Sequence, residues 1–136
     1  MAQLTMNEHE TNTGAELLFL LRQQRYLYHQ LRILTDRQCQ LAGTDSSELL
    51  VEIFSGRSKL IEKLQELDNK LRPIKAGWQE FSNRIGAEYK TAVYEIVSQI
   101  QEIINKIMAF SPTEMVQNLP LHQDWEFEEI YAGIEH

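Results

Sequence analysis

The chain has 136 residues and carries 20 acidic against 13 basic side chains. That length fits one domain, and the acidic balance is the opposite of what a nucleic-acid binder usually shows. Cys39, the one cysteine, excludes an internal disulfide and favours a reduced compartment. Few Pro and Gly in a sequence rich in Leu, Ile, Gln and Glu lean towards helix. No apolar run approaches the roughly 18–20 residues that span a bilayer. The opening "MAQLTMNEHETNTG" has neither the basic nor the apolar region of a secretory signal. A cytoplasmic chain without membrane insertion is the reading.

Residues 1–14 are polar and aperiodic, a flexible lead-in. A first helix is predicted over 15–42, where Leu17, Leu20, Gln24, Leu27, Leu31, Leu34, Gln38 and Leu41 follow a heptad seam. Leu18, Phe19, Leu21 and Tyr28 flank it. "GTDSS" breaks the pattern, and Asp45 with Glu48 offers a capping box. A second helix over 46–71 carries Leu50, Ile53, Arg57, Leu60, Leu64, Leu67 and Leu71 at the same spacing. It meets Pro73. A third helix is predicted over 74–110, with Ile74, Trp78, Phe81, Ile85, Tyr89, Ala92, Ile96, Ile100, Ile103, Ile107 and Phe110 as its stripe. Some of its steps are four residues long, approaching an eleven-residue repeat.

No strand pattern competes. The fold class is all-α: an elongated antiparallel three-helix coiled-coil-like bundle over 15–111, followed by a short helical or disordered tail over 112–136. Pro73 reads as a corner, because it disfavours helical geometry at Arg72 and is at home in the first turn of a following helix. Trp78 then caps the closed end. A kinked continuous helix is the alternative.

The helices would be about 40, 38 and 55 Å long. If the third pairs with the second from Pro73 onward, its last turns overhang, exposing Ile100, Ile103, Ile104, Ile107, Met108 and Phe110. An apolar overhang needs a cover. The stripe is plain core under the start of the chain or a second copy, a groove for a partner helix, or a surface masked by the tail. The tail has the chemistry for that. Residues 113–136 hold Glu114, Asp124, Glu126, Glu128, Glu129 and Glu135 but no Lys or Arg, with Trp125 beside an apolar face of Phe127, Ile130, Tyr131 and Ile134. Such a short helix needs a surface to fold on. The candidate partner-binding residues are therefore Ile100, Ile103, Ile104, Ile107, Met108, Phe110, Trp125, Phe127, Ile130 and Tyr131.

Catalysis finds no foothold. There is no phosphate-cradling Gly loop and no nucleophile elbow. His9, His29, His122 and His136 are scattered, without ligand spacing, so neither a metal nor a cofactor is expected. Cys39 lacks an activating base and reads as a small buried apolar residue. Arg22, Arg25 and Arg32 suit a solvated face better than RNA contact. Gln24, Gln38 and Arg57 interrupt the seams, either to set register or because solvent reaches them.

The stretch from Leu17 to Phe81 resembles the FlgN-type family of flagellar export chaperones. The resemblance rests on Arg25-Tyr26-Leu27-Tyr28-His29-Gln30-Leu31, on the run "RSKLIEKLQELDNKLRP" from Arg57 to Pro73, and on the following Trp78; it extends over about 16–110. The ending "AFSPTEM" departs from the acidic close usual in that family. The resemblance implies a cytoplasmic, non-enzymatic chaperone. Its partners would be the unstructured C-terminal segments of hook-associated proteins and the type III export apparatus, and it would prevent premature association of those clients. A structural coiled-coil adaptor, possible as a homodimer, is the alternative; a small RNA- or ribosome-associated helical factor is a weaker one.

Overall fold

The computed structural model describes residues 13–41 and 43–110. Those residues form four α-helices: α1 (Gly14–Leu41), α2 (Ser47–Ala76), α3 (Trp78–Ile85) and α4 (Ala87–Phe110). The all-α expectation holds. Of the lead-in expected over 1–14, residues 1–12 lie outside the described residues while Gly14 already begins α1, and the tail over 112–136 lies outside them altogether.

A cap that the heptad analysis passed over starts α1. Thr13 accepts a hydrogen bond at its Oγ1 from the Glu16 N–H, at 3.1 Å. "TGAE" is thus a Thr-x-x-Glu start signal. The proposed cap at Asp45 is not used: α2 starts after Ser46, which makes no side-chain cap bond. Thr44 instead satisfies the end of α1, its N–H and hydroxyl both donating to the Leu41 carbonyl.

The directions of the helices follow from their contacts. Gln38 late in α1 meets Arg57 early in α2, while Phe19, Arg22 and Tyr26 early in α1 share a groove with Lys63, Glu66 and Lys70 later in α2, so α1 and α2 are antiparallel. Arg25 donates to Gln99, and the start of α1 at Gly14 lies against the Tyr89 ring. Helix α4 therefore runs parallel to α1 and packs chiefly on it, not on α2.

This arrangement widens the buried face of α1. Leu17, Leu18, Leu21, Gln24, Tyr28, Leu31 and Thr35 are buried, whereas Leu20, Leu27 and Leu34 are only half-buried. A helix between two neighbours needs a stripe broader than a two-position seam. The seam of α2 is closer to expectation, with Ile53, Arg57, Leu64, Leu67 and Leu71 buried.

The corner expected at Pro73 lies further along. Helix α2 continues through Pro73 to Ala76. Proline removes one helical N–H bond, here the bond to the carbonyl of Asn69, an exposed residue whose carbonyl water can reach. The extra turn buries Ile74 and Lys75, which offsets that cost. Gly77 breaks the helix, its N–H donating to the Pro73 carbonyl at 3.1 Å. Short α3 follows, and Gly86 reverses the chain with φ +90° and ψ 167°, a region essentially restricted to glycine. Trp78 does close this end: it is buried, stacked on Phe81 at 6.3 Å between ring centroids and edge-on to Tyr94 at 5.9 Å.

Candidate docking groove

The stripe expected to overhang is covered. Ile100, Ile104 and Ile107 are buried in the main core and Ile103 is half-buried against it. The physical reason is the partner choice of α4: lying along α1, it spends its apolar face there. Met108 is exposed; Phe110 ends α4, and its side chain lies outside the described residues, as do Trp125, Phe127, Ile130 and Tyr131. Of the readings open for this stripe, core under the start of the chain is the one the helices adopt.

The overhang belongs to the other side of the bundle. Arg25 and Gln99 are 74 positions apart, so Phe110 stands level with about Asp36. Beyond it α1 and α2 continue as a two-helix tip. There Leu41 and Leu50 are only half-buried, and Leu49, Val51 and Phe54 are exposed.

A second opening lies between α1 and α2. It is a groove of about 650 Å³ lined by Phe19, Arg22, Gln23, Tyr26 and Leu27 from α1 and by Lys63, Glu66, Leu67 and Lys70 from α2. Both helices contribute residues at helical i, i+3, i+4 and i+7 spacing, so each presents one face. The floor is apolar: Leu67 is buried and Leu27 half-buried. Phe19 and Tyr26 stand two turns apart and are 60% and 62% exposed. Three cations, Arg22, Lys63 and Lys70, face one carboxylate, Glu66. Such a trough suits an amphipathic helix that carries apolar anchors and negative charge.

The polar interruptions of the seams differ in character. Arg57 is buried and donates to Gln38 Oε1 at 3.3 Å, a cross-helix link that fixes the register of α1 on α2. Burial lowers the Arg57 pKa from its ordinary value, and the field of Cys39 partly offsets this. Gln24 is 0% exposed, and neither its Oε1 nor its Nε2 has a hydrogen-bond partner among the described residues. A buried amide left unpaired costs about 1–3 kcal/mol. Gln24→Met is therefore expected to raise stability by about 1 kcal/mol or more, read as a higher urea midpoint. An unchanged or lower midpoint would mean that the amide is satisfied in solution.

Sequence reasoning missed a buried ion pair. Lys75 Nζ lies 2.6 Å from Asp68 Oδ1, and Arg72 Nη2 lies 3.5 Å from Asp68 Oδ2. The signal was present: Asp68 stands one position past Leu67 on the seam of α2, and Lys75 follows two turns later. The break assumed at Pro73 hid it.

Cys39, expected to be buried, is exposed, because it lies near the tip where α4 no longer covers α1. Arg22 rims the groove in solvent, while Arg25 is half-buried against Gln99. Among the described residues no group of three His, Cys, Asp or Glu could hold a metal, and no helix is long and apolar enough to cross a membrane. No family model, curated protein or solved structure matches the chain.

Proposed function

We propose that this chain is a non-enzymatic, cytoplasmic chaperone of the FlgN type, holding one unstructured C-terminal segment of a hook-associated protein as a helix and handing it to the type III export apparatus. The supporting observation is the groove between α1 and α2, with its exposed Phe19 and Tyr26. Burying about 400 Å² of apolar client surface contributes about 10 kcal/mol at 25 cal/mol per Å². Ordering the client costs about 2–5 kcal/mol, and loss of overall freedom costs more. Those costs leave a weak, readily reversible grip that permits release.

Calorimetric titration with C-terminal peptides of hook-associated proteins tests the proposal. One-to-one binding is expected. Phe19→Ala/Tyr26→Ala should weaken it by roughly 30-fold or more, as for paired aromatic anchors, without loss of helicity. Absence of binding to any such peptide, or equal binding by the variant, rules it out. The exposed Leu49, Val51 and Phe54 favour a second reading, a homodimer joined at the tips. Sedimentation velocity separates the two: a dimer that Phe54→Glu dissociates, with no client binding, supports the adaptor.

A further inference from the structure

We propose that the groove is an intramolecular dock for the chain's own acidic aromatic terminus, residues 121–136. This does not depend on which client, if any, the groove accepts. The α4 stripe cannot serve that terminus, since Ile100, Ile104 and Ile107 are already buried against the bundle. The groove is open, and its rim carries three cations against one carboxylate. Residues 121–136 supply Asp124, Glu126, Glu128, Glu129 and Glu135, no Lys or Arg, and the apolar side chains Trp125, Phe127, Ile130, Tyr131 and Ile134. Charge and apolarity are thus complementary on both counts.

The reach is sufficient. Phe110 stands level with about Asp36 of α1, whereas the groove is centred near Gln23. That offset of about 13 residues is roughly 20 Å along a helix. The stretch from Phe110 to Trp125 can extend to about 50 Å, enough to travel that distance and pass around α1. A tether of that length holds the terminus at an effective concentration of order millimolar. A second copy at micromolar concentration competes poorly with it. The dock also spares Phe19 and Tyr26 from water, the exposure that otherwise marks an interaction site.

The test places p-benzoylphenylalanine at Tyr26 of the full-length chain, irradiates, and maps the products by mass spectrometry. Crosslinks from position 26 to a peptide within 121–136, at monomer mass, are the expected result. Lys63→Glu/Lys70→Glu, both exposed positions, should abolish most of that crosslink while circular dichroism confirms the retained helices. High salt should reduce it as well, because the rim charges are screened. No crosslink to 121–136, a crosslink only at dimer mass, or a yield indifferent to the charge reversal would each overturn the proposal. Titration with a hook-associated peptide reads the functional proposal separately: a crosslink without client binding retains the dock and removes the chaperone.

Discussion

Asp68→Ala is expected to destabilise the protein by about 3–5 kcal/mol, the usual cost of removing one member of a buried ion pair. The Lys75 side chain is only 2% exposed and its Nζ sits 2.6 Å from Asp68 Oδ1. Without the carboxylate, an ammonium stays buried with its main charge partner gone. Arg72 cannot account for the loss. Its side chain is largely exposed and its contact with Asp68 is longer, at 3.5 Å, so Arg72→Ala should cost no more than about 0.5 kcal/mol. The double variant Asp68→Leu/Lys75→Met removes both charges and keeps volume, and such replacements are neutral or stabilising by about 1–4 kcal/mol. Urea unfolding of the variants checks all of this. A loss below about 1 kcal/mol for Asp68→Ala would mean that Lys75 escapes to solvent along its flexible stem.

The location of this pair explains why α2 outlasts its proline. Asp68 and Lys75 stand on either side of Pro73, one in the intact part of α2 and one in its final turn. Proline at position 73 weakens that turn, and the ion pair with the burial of Ile74 restores it. The turn then delivers Trp78 into the core, where its ring meets Phe81 and Tyr94. Burial raises the Tyr94 phenol above its usual pKa, and the neighbouring Trp78 indole acts in the opposite direction. Two turns upstream, the same helix carries Lys63, Glu66, Leu67 and Lys70 into the groove. The elbow thus anchors one wall of the candidate site.

Helical periodicity made much of this fold legible, and the errors have physical causes. Leu64, Leu67 and Leu71 lie in the core of α2 as their spacing indicates. On α1 the same arithmetic selected Leu20, Leu27 and Leu34, but a single seam describes a helix with one neighbour. Helix α1 has two, so Leu18, Leu21 and Tyr28 join its core. Periodicity also says nothing about which helix pairs with which. Pairing the last helix with α2 produced an overhang whose Ile100, Ile104 and Ile107 are in fact covered, because α4 packs chiefly on α1. The groove escaped notice for a related reason. Phe19 reads as a flank of the seam and Tyr26 only as part of the stretch Arg25–Leu31, although aromatics two turns apart on the outer side of a helix already trace a second face. Gly77 and Gly86 were passed over in favour of Pro73. Yet Gly86, with its positive φ, is where the backbone demands a particular residue.

Ile104→Ala is expected to cost about 2–5 kcal/mol, the range for a large-to-small change in a packed core. Ile104 is 0% exposed and belongs to the same cluster as Leu17, Leu21 and Leu31. Truncating it leaves a cavity between α4 and α1 that neighbours on rigid helices refill only in part. Met108 lies one turn further and is exposed, so Met108→Ala should remain within about 0.5 kcal/mol. The contrast between these variants locates the function as well as the core. A client groove along α4 would leave stability nearly untouched by Ile104→Ala while weakening client binding. The packing of α4 on α1 requires the reverse: a lowered urea midpoint, with the Phe19 and Tyr26 groove still intact in whatever fraction remains folded. Binding measured below the unfolding transition should therefore be unchanged in Ile104→Ala and reduced in Phe19→Ala/Tyr26→Ala. Because the unfolded fraction is small when several kcal/mol of stability remain, the two effects are separable in one titration series. Loss of binding in Ile104→Ala at full helicity would return the docking site to α4.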